Sequence, residues 1–287
     1  MRSIHEPIGQ PGSSPTGRRL VQRAKRGAQG YHSHVHPRFF APAAADAIDG
    51  VFDLPRDEAH HASRVMRLAG GDEIVVFDGR GREWRARIET AVRDRVRVRL
   101  LEALTPGSEP RVPIVLFHAV LKGDHMDVVV RDATMMGAAV IQPIVTAHTI
   151  TRASGGAAGK LRERWVRVAV ASAKQCRRAV VPDVARPLPL DEALGSLAPP
   201  APAEMRVVLA EPTTGAAARP PAAVAGDTPA RALIAVGPEG GWAQEEIAQL
   251  VAAGFQPVTL GALTLRADAA ALVAISAFRA LWQDLRF

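Results

Sequence analysis

The amino-acid sequence predicts an α/β protein in two parts, a small β-barrel-like domain followed by a larger domain with a mainly parallel sheet. Three observations carry that expectation. Residues 39–104 alternate apolar and polar side chains in short runs broken by Gly and Asp, the period of half-buried strands. The run Thr105-Pro106-Gly107-Ser108-Glu109-Pro110 then breaks all periodicity, as a linker does. Beyond it, strand-like apolar segments alternate with segments of helical period, the pattern of a parallel sheet covered by helices. The 287 residues suit two domains at roughly 100 to 200 residues each. The expected divisions are a basic leader, 1–37, a barrel, 38–108, and the α/β domain, 109–287.

The leader mixes Gly, Pro, Ser and Gln with Arg18, Arg19, Arg23, Lys25 and Arg26. With almost no apolar periodicity it cannot bury enough surface to offset the entropy of ordering, so a disordered, solvated tail is expected. His32, His34 and His36 alternate without a neighbouring carboxylate or Cys, and no metal site is expected from them. In the barrel, strands are expected at 73–77, 83–89 and 92–101, with Asp78-Gly79 and Gly81 supplying the positive φ of a tight connection. In the second domain, 112–121 reads as a buried strand. The segment 124–136 reads as a helix with Met126, Val129, Val130, Ala133 and Met136 on one face and Asp124 as N-cap. Alternation continues through 140–145, 160–176, 205–209, 232–236, 245–253, 257–260 and 268–281. The Ala- and Pro-rich stretches 198–203 and 212–229 are expected to be exposed loops.

Composition narrows function before any motif is read. With 47% hydrophobic and 23% charged residues the chain is neither disordered nor fibrous. No run of about 18 apolar residues occurs, so no membrane span is expected. Cys176 is the one cysteine; it excludes an internal disulfide and a cysteine-built zinc site and points to a reducing cytoplasm. The net charge of +7 is uneven. Residues 1–38 hold seven Arg or Lys against Glu6, whereas 29 basic residues face 28 acidic ones from Phe39 onward. Global basicity therefore says little about nucleic acid.

Two loops at strand ends bear the chemistry. Ala235-Val236-Gly237-Pro238-Glu239-Gly240-Gly241 runs from a strand into a rigid glycine-rich turn, with Glu245 and Glu246 opening the next helix. Glycines let a ligand approach the main chain and Pro238 lowers the entropy of holding the turn, which suits a flat polar ligand such as adenosine. Neither the phosphate-loop nor the Gly-x-Gly-x-x-Gly pattern occurs, so ATP and dinucleotides lose their usual warrant. The second loop, Leu260-Gly261-Ala262-Leu263-Thr264-Leu265-Arg266-Ala267-Asp268, sets an Arg beside an Asp at a helix start. Asp268 is favourable there on the helix dipole alone. Arg266, emerging from an apolar strand end, can position phosphate or stabilise negative charge developing on a base. Together the loops make a crevice of the kind in which open α/β sheets bind ligands.

These loops and their spacing resemble the RsmE family of SPOUT ribosomal RNA methyltransferases. So do Arg38-Phe39-Phe40, His60-His61 with Arg64-Val65-Met66-Arg67, Gly71-Asp72-Glu73, Phe77-Asp78-Gly79-Arg80-Gly81, Lys122-Gly123-Asp124-His125-Met126-Asp127, Ala133-Thr134 and Gln175-Cys176. The likeness covers Arg38 to the C-terminus. The resemblance implies a PUA-like RNA-binding barrel and a C-terminal deep trefoil knot that binds S-adenosylmethionine; knots are exceptions to ordinary topology and lie beyond the reach of periodicity. It implies a homodimer that methylates N3 of one uridine, position 1498 of 16S ribosomal RNA in the small subunit. Carried onto this sequence, it implies cofactor contacts at Leu209, Val236, Gly237, Pro238, Glu239, Gly240, Gly241, Leu260, Gly261, Leu265 and Arg266. Asp268 is the candidate base, and Arg266 the group that stabilises the resulting uracil anion.

The sequence also departs from the family pattern. The usual Leu-Arg-Thr-Glu-Thr-Ala is Leu265-Arg266-Ala267-Asp268-Ala269-Ala270, and where the family reads Ala-Thr-Glu-Leu-Gly this sequence has Met135 in place of the Glu. The usual Glu before Gln175 is Lys174, and the serine that often caps the helix after the glycine turn is Ala243. On the barrel, Arg93, Arg95, Arg97 and Arg99 are expected on one strand face with Val96, Val98 and Leu100 on the other, beside a shorter stripe of Arg85 and Arg87. Guanidinium groups suit phosphate through bidentate hydrogen bonds, so the stripe is either an RNA-binding face or a solvated one. Cys176 reads as a buried small apolar side chain. Alternative readings are a related knotted enzyme acting on a ribose 2′-hydroxyl or another base, and a non-catalytic RNA-binding module.

Overall fold

In the computed structural model, which describes residues 36–150, 155–211 and 218–285, short alternating segments pair first into a five-stranded sheet. Its strands are β1 (Arg38–Phe40), β2 (Val51–Asp53), β3 (Glu73–Phe77), β4 (Glu83–Val92) and β5 (Arg95–Leu104), in the order β1-β3-β4-β5-β2. All neighbours are antiparallel except β1 and β3. Phe39, Ile74, Val76, Ala86, Ile88, Val96 and Val98 are buried in its core, each one step out of phase with the arginines. A short helix, α1 (Arg56–His60), continues into one π-type turn, His61–Val65, and lays Ala59 and Ala62 onto the same core. The expected break between 89 and 92 is absent: the hairpin turns at Arg93 and Asp94, with Arg93 in the left-handed region at φ 53°. Arg93 is thus a turn residue, not a member of the strand stripe. The leader's residues 1–35, including His32 and His34, lie outside the described residues.

The second sheet is parallel throughout. Its strands are β6 (Ile114–Ala119), β7 (Ala138–Val145), β8 (Asp183–Val184), β9 (Leu188–Pro189), β10 (Glu204–Leu209), β11 (Arg231–Val236) and β12 (Gln256–Val258). The order is β12-β10-β11-β6-β7-β8, with β9 also pairing β7. All six residues of the central β6 are buried, and their alternation serves both faces. Ile114 and Leu116 join one core with α2 (His125–Met135), α3 (Gly155–Cys176) and α7 (Ala267–Leu281). Val115 and Phe117 join another with α4 (Leu190–Gly195) and α6 (Gln244–Ala252). Asp124 occupies the N-cap position of α2, yet its side chain makes no capping hydrogen bond. Within the Pro-rich stretch expected to be loop, residues 221–224 form a short helix, α5 (Pro221–Val224), opened by Pro at its first position.

Close contacts join the two sheets. Gly79 forms isolated bridges with Val180 together with Arg80, and Val181 donates its N–H to the Gly79 carbonyl at 3.0 Å. A side chain at Gly79 would place its Cβ 2.7 Å from the Phe40 ring and 3.3 Å from Val181, at φ 77°, so only glycine permits this approach. Arg38 donates to Glu83 at 2.8 Å and to the Arg178 carbonyl at 3.1 Å. Arg178 in turn ties Glu109 to the Thr134 carbonyl at the end of α2. Lys174, the departure near the end of α3, pairs with Glu58 of α1 at 2.7 Å. Cys176, expected to be buried, is half-buried at the last residue of α3.

The C-terminal helix is held by a buried charge pair. Arg279 and Asp284 meet at 2.7 Å with side chains 1% and 0% exposed. Arg279 also donates to the carbonyls of Met136 and Gly137 just past α2, while Asp284 accepts the backbone N–H groups of Arg111 and Val112 before β6. Because both charges are paired and hydrogen-bonded, the C-terminal end of α7 is anchored to the segments that lead into β6 and β7.

Candidate active site

β10, β11 and β12 end on the same edge of the parallel sheet, and the chain leaving each of them lines one cavity of about 490 Å³. That volume lies within the range typical of small-molecule pockets, about 300 to 1,000 Å³. After β11 the glycine turn is closed by the Gly241 N–H donating to the Pro238 carbonyl at 3.0 Å. Trp242 folds back beneath it, its indole N–H donating to the Leu209 carbonyl at 2.9 Å. A Cβ on Gly237 would sit 3.0 Å from that indole ring, so the glycine is what lets Trp242 form the cavity wall. Ala243 leaves α6 without a capping hydroxyl. Glu246 compensates by accepting the N–H groups of Ala243 at 2.9 Å and Ala147 at 2.7 Å. Glu239 accepts the Lys122 N–H at 3.1 Å, fastening the turn to the segment between β6 and α2.

The loop after β12 forms the opposite wall and ends at the start of α7. Arg266 occupies the N-cap position and donates through Nε and Nη2 to the two carboxylate oxygens of Asp268, at 3.1 and 2.8 Å. Burial works against ionising Asp268, but the Arg266 guanidinium, the Ala269 N–H and the nearby His125 outweigh it and hold the carboxyl below the usual carboxylate range. His125, the first residue of α2, places Nδ1 3.2 Å from Asp268 Oδ2 and 3.1 Å from Arg266 Nη2. Beneath the pair lies His118, fully buried, with Nδ1 2.8 Å from the Ala119 carbonyl and Nε2 3.1 Å from the Ala267 carbonyl. Burial pushes His118 below the ordinary histidine range despite those carbonyls and the charges of Glu239 and Asp268.

Of the residues that sequence reasoning placed here, Leu209, Val236, Gly237, Pro238, Glu239, Gly241, Leu260, Leu265, Arg266 and Asp268 line the cavity. Gly240 and Gly261 do not. Gly240 faces His148, where a Cβ would lie 3.0 Å from the His148 side chain, and Gly261 takes φ 129° within its loop. The reading missed the other lining residues, Leu121, His125, Ala210, Glu211, Trp242, Thr259, Leu263, Thr264, Ala267 and Ala270. Trp242 directly follows the glycine turn and His125 sits in a motif already singled out, so both carried a signal. Leu263, Thr264 and Ala267 lie inside the second loop already singled out, whereas Leu121 and Glu211 carried none.

Arg85, Arg87, Arg95, Arg97 and Arg99 stand together on the outer face of β4 and β5, with Arg87 directly opposite Arg99. Each faces a carboxylate: Arg85 and Arg87 face Glu73, Arg95 and Arg97 face Asp53, and Arg99 faces Glu89. Side chains of all five arginines remain 38% or more exposed, so each pair is a weak, solvent-screened one. Among the described residues no cluster of three or more potential metal ligands occurs, and no helix is long and apolar enough to cross a membrane.

Comparison with known proteins agrees with this geometry. Residues 108–279 match the RNA methyltransferase domain family, and residues 54–101 match the RNA methyltransferase PUA domain. The chain is similar to the ribosomal RNA small subunit methyltransferase E of Synechocystis sp., 34% identical over 84% of this chain and 77% of the relative. It is 33% identical to the protein of that name from Mycobacterium bovis, over 82% of this chain and 86% of the relative. A crystal structure of a ribosomal RNA small subunit methyltransferase E from Neisseria gonorrhoeae bound to S-adenosyl methionine superposes with a TM-score of 0.74 at 28% identity, covering 86% of this chain and 98% of that one. With a third of its aligned residues shared across both domains, this chain belongs to the ribosomal RNA small subunit methyltransferase E family.

Proposed function

We propose that this protein methylates N3 of one uridine, position 1498 of 16S ribosomal RNA, with S-adenosylmethionine as methyl donor. The observation that carries the reading is the cavity at the ends of β10, β11 and β12, with the Arg266–Asp268 pair on its wall. Its residues fit the donor. Leu209, Val236, Leu260 and Ala270 provide apolar wall for an adenosyl group, the glycine turn brings main chain within reach, and Glu211 and Glu239 add carboxylates for a cation. Bound there, S-adenosylmethionine supplies an electrophilic methyl group on a positively charged sulfur.

The chain's own residues do the rest. Arg266 stabilises the negative charge that spreads onto the uracil oxygens when N3 loses its proton. Asp268 orients that guanidinium through two hydrogen bonds. The carboxylate is already committed to Arg266 and is a weaker base than a free carboxylate, which favours a positioning role for it over the base role expected from sequence. The exposed arginines of β4 and β5 hold the RNA backbone without reading its sequence. Each one removed should lower the salt dependence of rRNA binding by about 0.7 to 0.9 in log–log slope.

The same reading includes a homodimer in the cytoplasm, acting on the small ribosomal subunit, and a knotted C-terminal domain. The half-exposed Met135 of α2 and Val273 and Leu281 of α7 supply apolar surface for the dimer. For the knot, the support is that the chain leaves β12 at one edge of the sheet and returns as α7 against β11 and α2.

The decisive experiment is to incubate small ribosomal subunits from a strain lacking this methylation with the purified protein and labelled S-adenosylmethionine, then map the product nucleoside by mass spectrometry. N3-methyluridine at a single position is the expected result. A ribose 2′-O-methyl group, another methylated base, or no incorporation would overturn the assignment.

A further inference from the structure

We propose that His148 is a positioning residue for S-adenosylmethionine: from outside the cavity its imidazole holds the Gly241 carbonyl, and with it the binding shape of the glycine turn. This inference rests on the reading of the cavity as the cofactor site and adds a residue behind its wall. Two tethers fix the turn through residues on the wall itself, the Lys122 N–H to Glu239 and the Trp242 indole to the Leu209 carbonyl. His148 does not line the cavity. It meets the turn at Gly240 and Gly241 instead.

His148 belongs to the segment that follows β7, and that segment is closed on itself. The Thr149 N–H donates to the Thr146 carbonyl at 3.0 Å, the Thr146 N–H donates to Thr149 Oγ1 at 3.0 Å, and the two threonine hydroxyl oxygens lie 2.8 Å apart. So braced, it grips the chain between β11 and α6 at two points. His148 Nδ1 lies 3.0 Å from the Gly241 carbonyl oxygen. The adjacent Ala147 N–H donates at 2.7 Å to Glu246 Oε1, whose other oxygen accepts the Ala243 N–H at 2.9 Å. Gly241 to Ala243 are thus held at both ends. A Cβ on Gly240 would lie 3.0 Å from the His148 Cβ, closer than ordinary van der Waals contact, so the bare glycine is what admits the histidine.

Chemistry fixes the direction of the tether. A carbonyl oxygen only accepts, so Nδ1 carries the hydrogen, and His148 donates to Gly241. Flexibility of the turn makes that bond count. Gly237, Gly240 and Gly241 leave the main chain many conformations, Gly241 itself standing at φ 72°. A turn that has to be ordered when the ligand arrives binds it more weakly than one already in shape. Exposure separates this role from a structural one: His148 is exposed, whereas Glu246 is 8% exposed and closes the start of α6. Losing His148 frees the turn locally and leaves the core as it was.

Two variants of the full chain test the assignment, with S-adenosylmethionine binding read by calorimetry and unfolding read thermally without ligand. In His148→Ala the dissociation constant should rise about 3- to 10-fold, the net worth of one hydrogen bond, while the unfolding midpoint stays within about 2 °C of the parent's. His148→Asn offers an amide N–H in place of Nδ1–H and should bring the affinity back to within about twofold. Nitrogen-15 spectra of the parent should show His148 protonated at Nδ1. Parental affinity in His148→Ala, an Asn variant as weak as the Ala variant, a midpoint that falls together with the affinity, or a bare Nδ1 would each overturn the positioning role. A parent protein that binds S-adenosylmethionine without methylating rRNA would overturn the proposed reaction and leave this inference standing; one that does not bind it would overturn both.

Discussion

Lys174 Nζ lies 2.7 Å from Glu58 Oε2 and 5.2 Å from the centre of the Phe39 ring, so one ammonium joins α3 of the parallel-sheet domain to α1 and β1 of the five-stranded one. A glutamate here, the residue expected from the resemblance, would face Glu58 as a like charge. The Lys174–Glu58 pair is mostly shielded from solvent, with side chains 20% and 12% exposed.

Lys174→Glu should therefore destabilise the protein by about 1 to 3 kcal/mol, between the value of an exposed pair and that of a buried one. The exchange Glu58→Lys with Lys174→Glu should recover most of the loss. Urea denaturation of the parent and the two variants measures both effects, and an unchanged midpoint in the single variant would show that the pair contributes nothing.

Arg279→Met should cost about 3 to 5 kcal/mol, because it strips a buried carboxylate of its partner and leaves the Met136 and Gly137 carbonyls without their donor. Thermal or urea unfolding reports the loss. A variant as stable as the parent would mean that Asp284 is satisfied by the Arg111 and Val112 N–H groups alone.

His118 makes stability depend on pH. Its folded pKa is depressed below the ordinary 6.5, so the unfolded chain takes up a proton that the folded chain refuses. The stabilisation is fully present above the unfolded value and is lost as pH falls below it toward the folded value. Between pH 6.5 and 5 this site should remove up to about 1.4 kcal/mol per pH unit. His118→Gln should flatten that slope relative to the parent; parallel curves for the two proteins would show that His118 does not titrate on unfolding.

Gly237→Ala should weaken S-adenosylmethionine binding about 10- to 100-fold by calorimetry. The added methyl lies 3.0 Å from the Trp242 ring, and the about 1 to 3 kcal/mol of overpacking must be relieved by moving either the turn or the cavity wall. Undiminished affinity with Trp242 displaced in a crystal structure would place the cofactor away from this wall.

The alternation of period along the chain was enough to place nearly every strand and helix of the parallel sheet, because a buried face imposes its spacing on the residues that form it. The elements missed were β1, β2, β8 and β9, of two or three residues each, and α1, α4 and α5, of four to six. None is long enough to repeat a period. Arg93 was misplaced because a left-handed turn residue continues the arginine alternation of the strand and differs from it only in φ.

Local sequence by itself determined the glycine turn after β11, the Arg266–Asp268 pair and the break near residue 105, since each depends on residues that are neighbours in the chain. Only the tertiary structure decided that His125 meets Arg266 at a sequence separation of 141, that Lys174 has an acid to face, and that Gly240 turns toward His148 instead of the cavity. Side-chain chemistry is written residue by residue, but the distance between two distant side chains is set by the packing of every layer between them, and no local pattern encodes it.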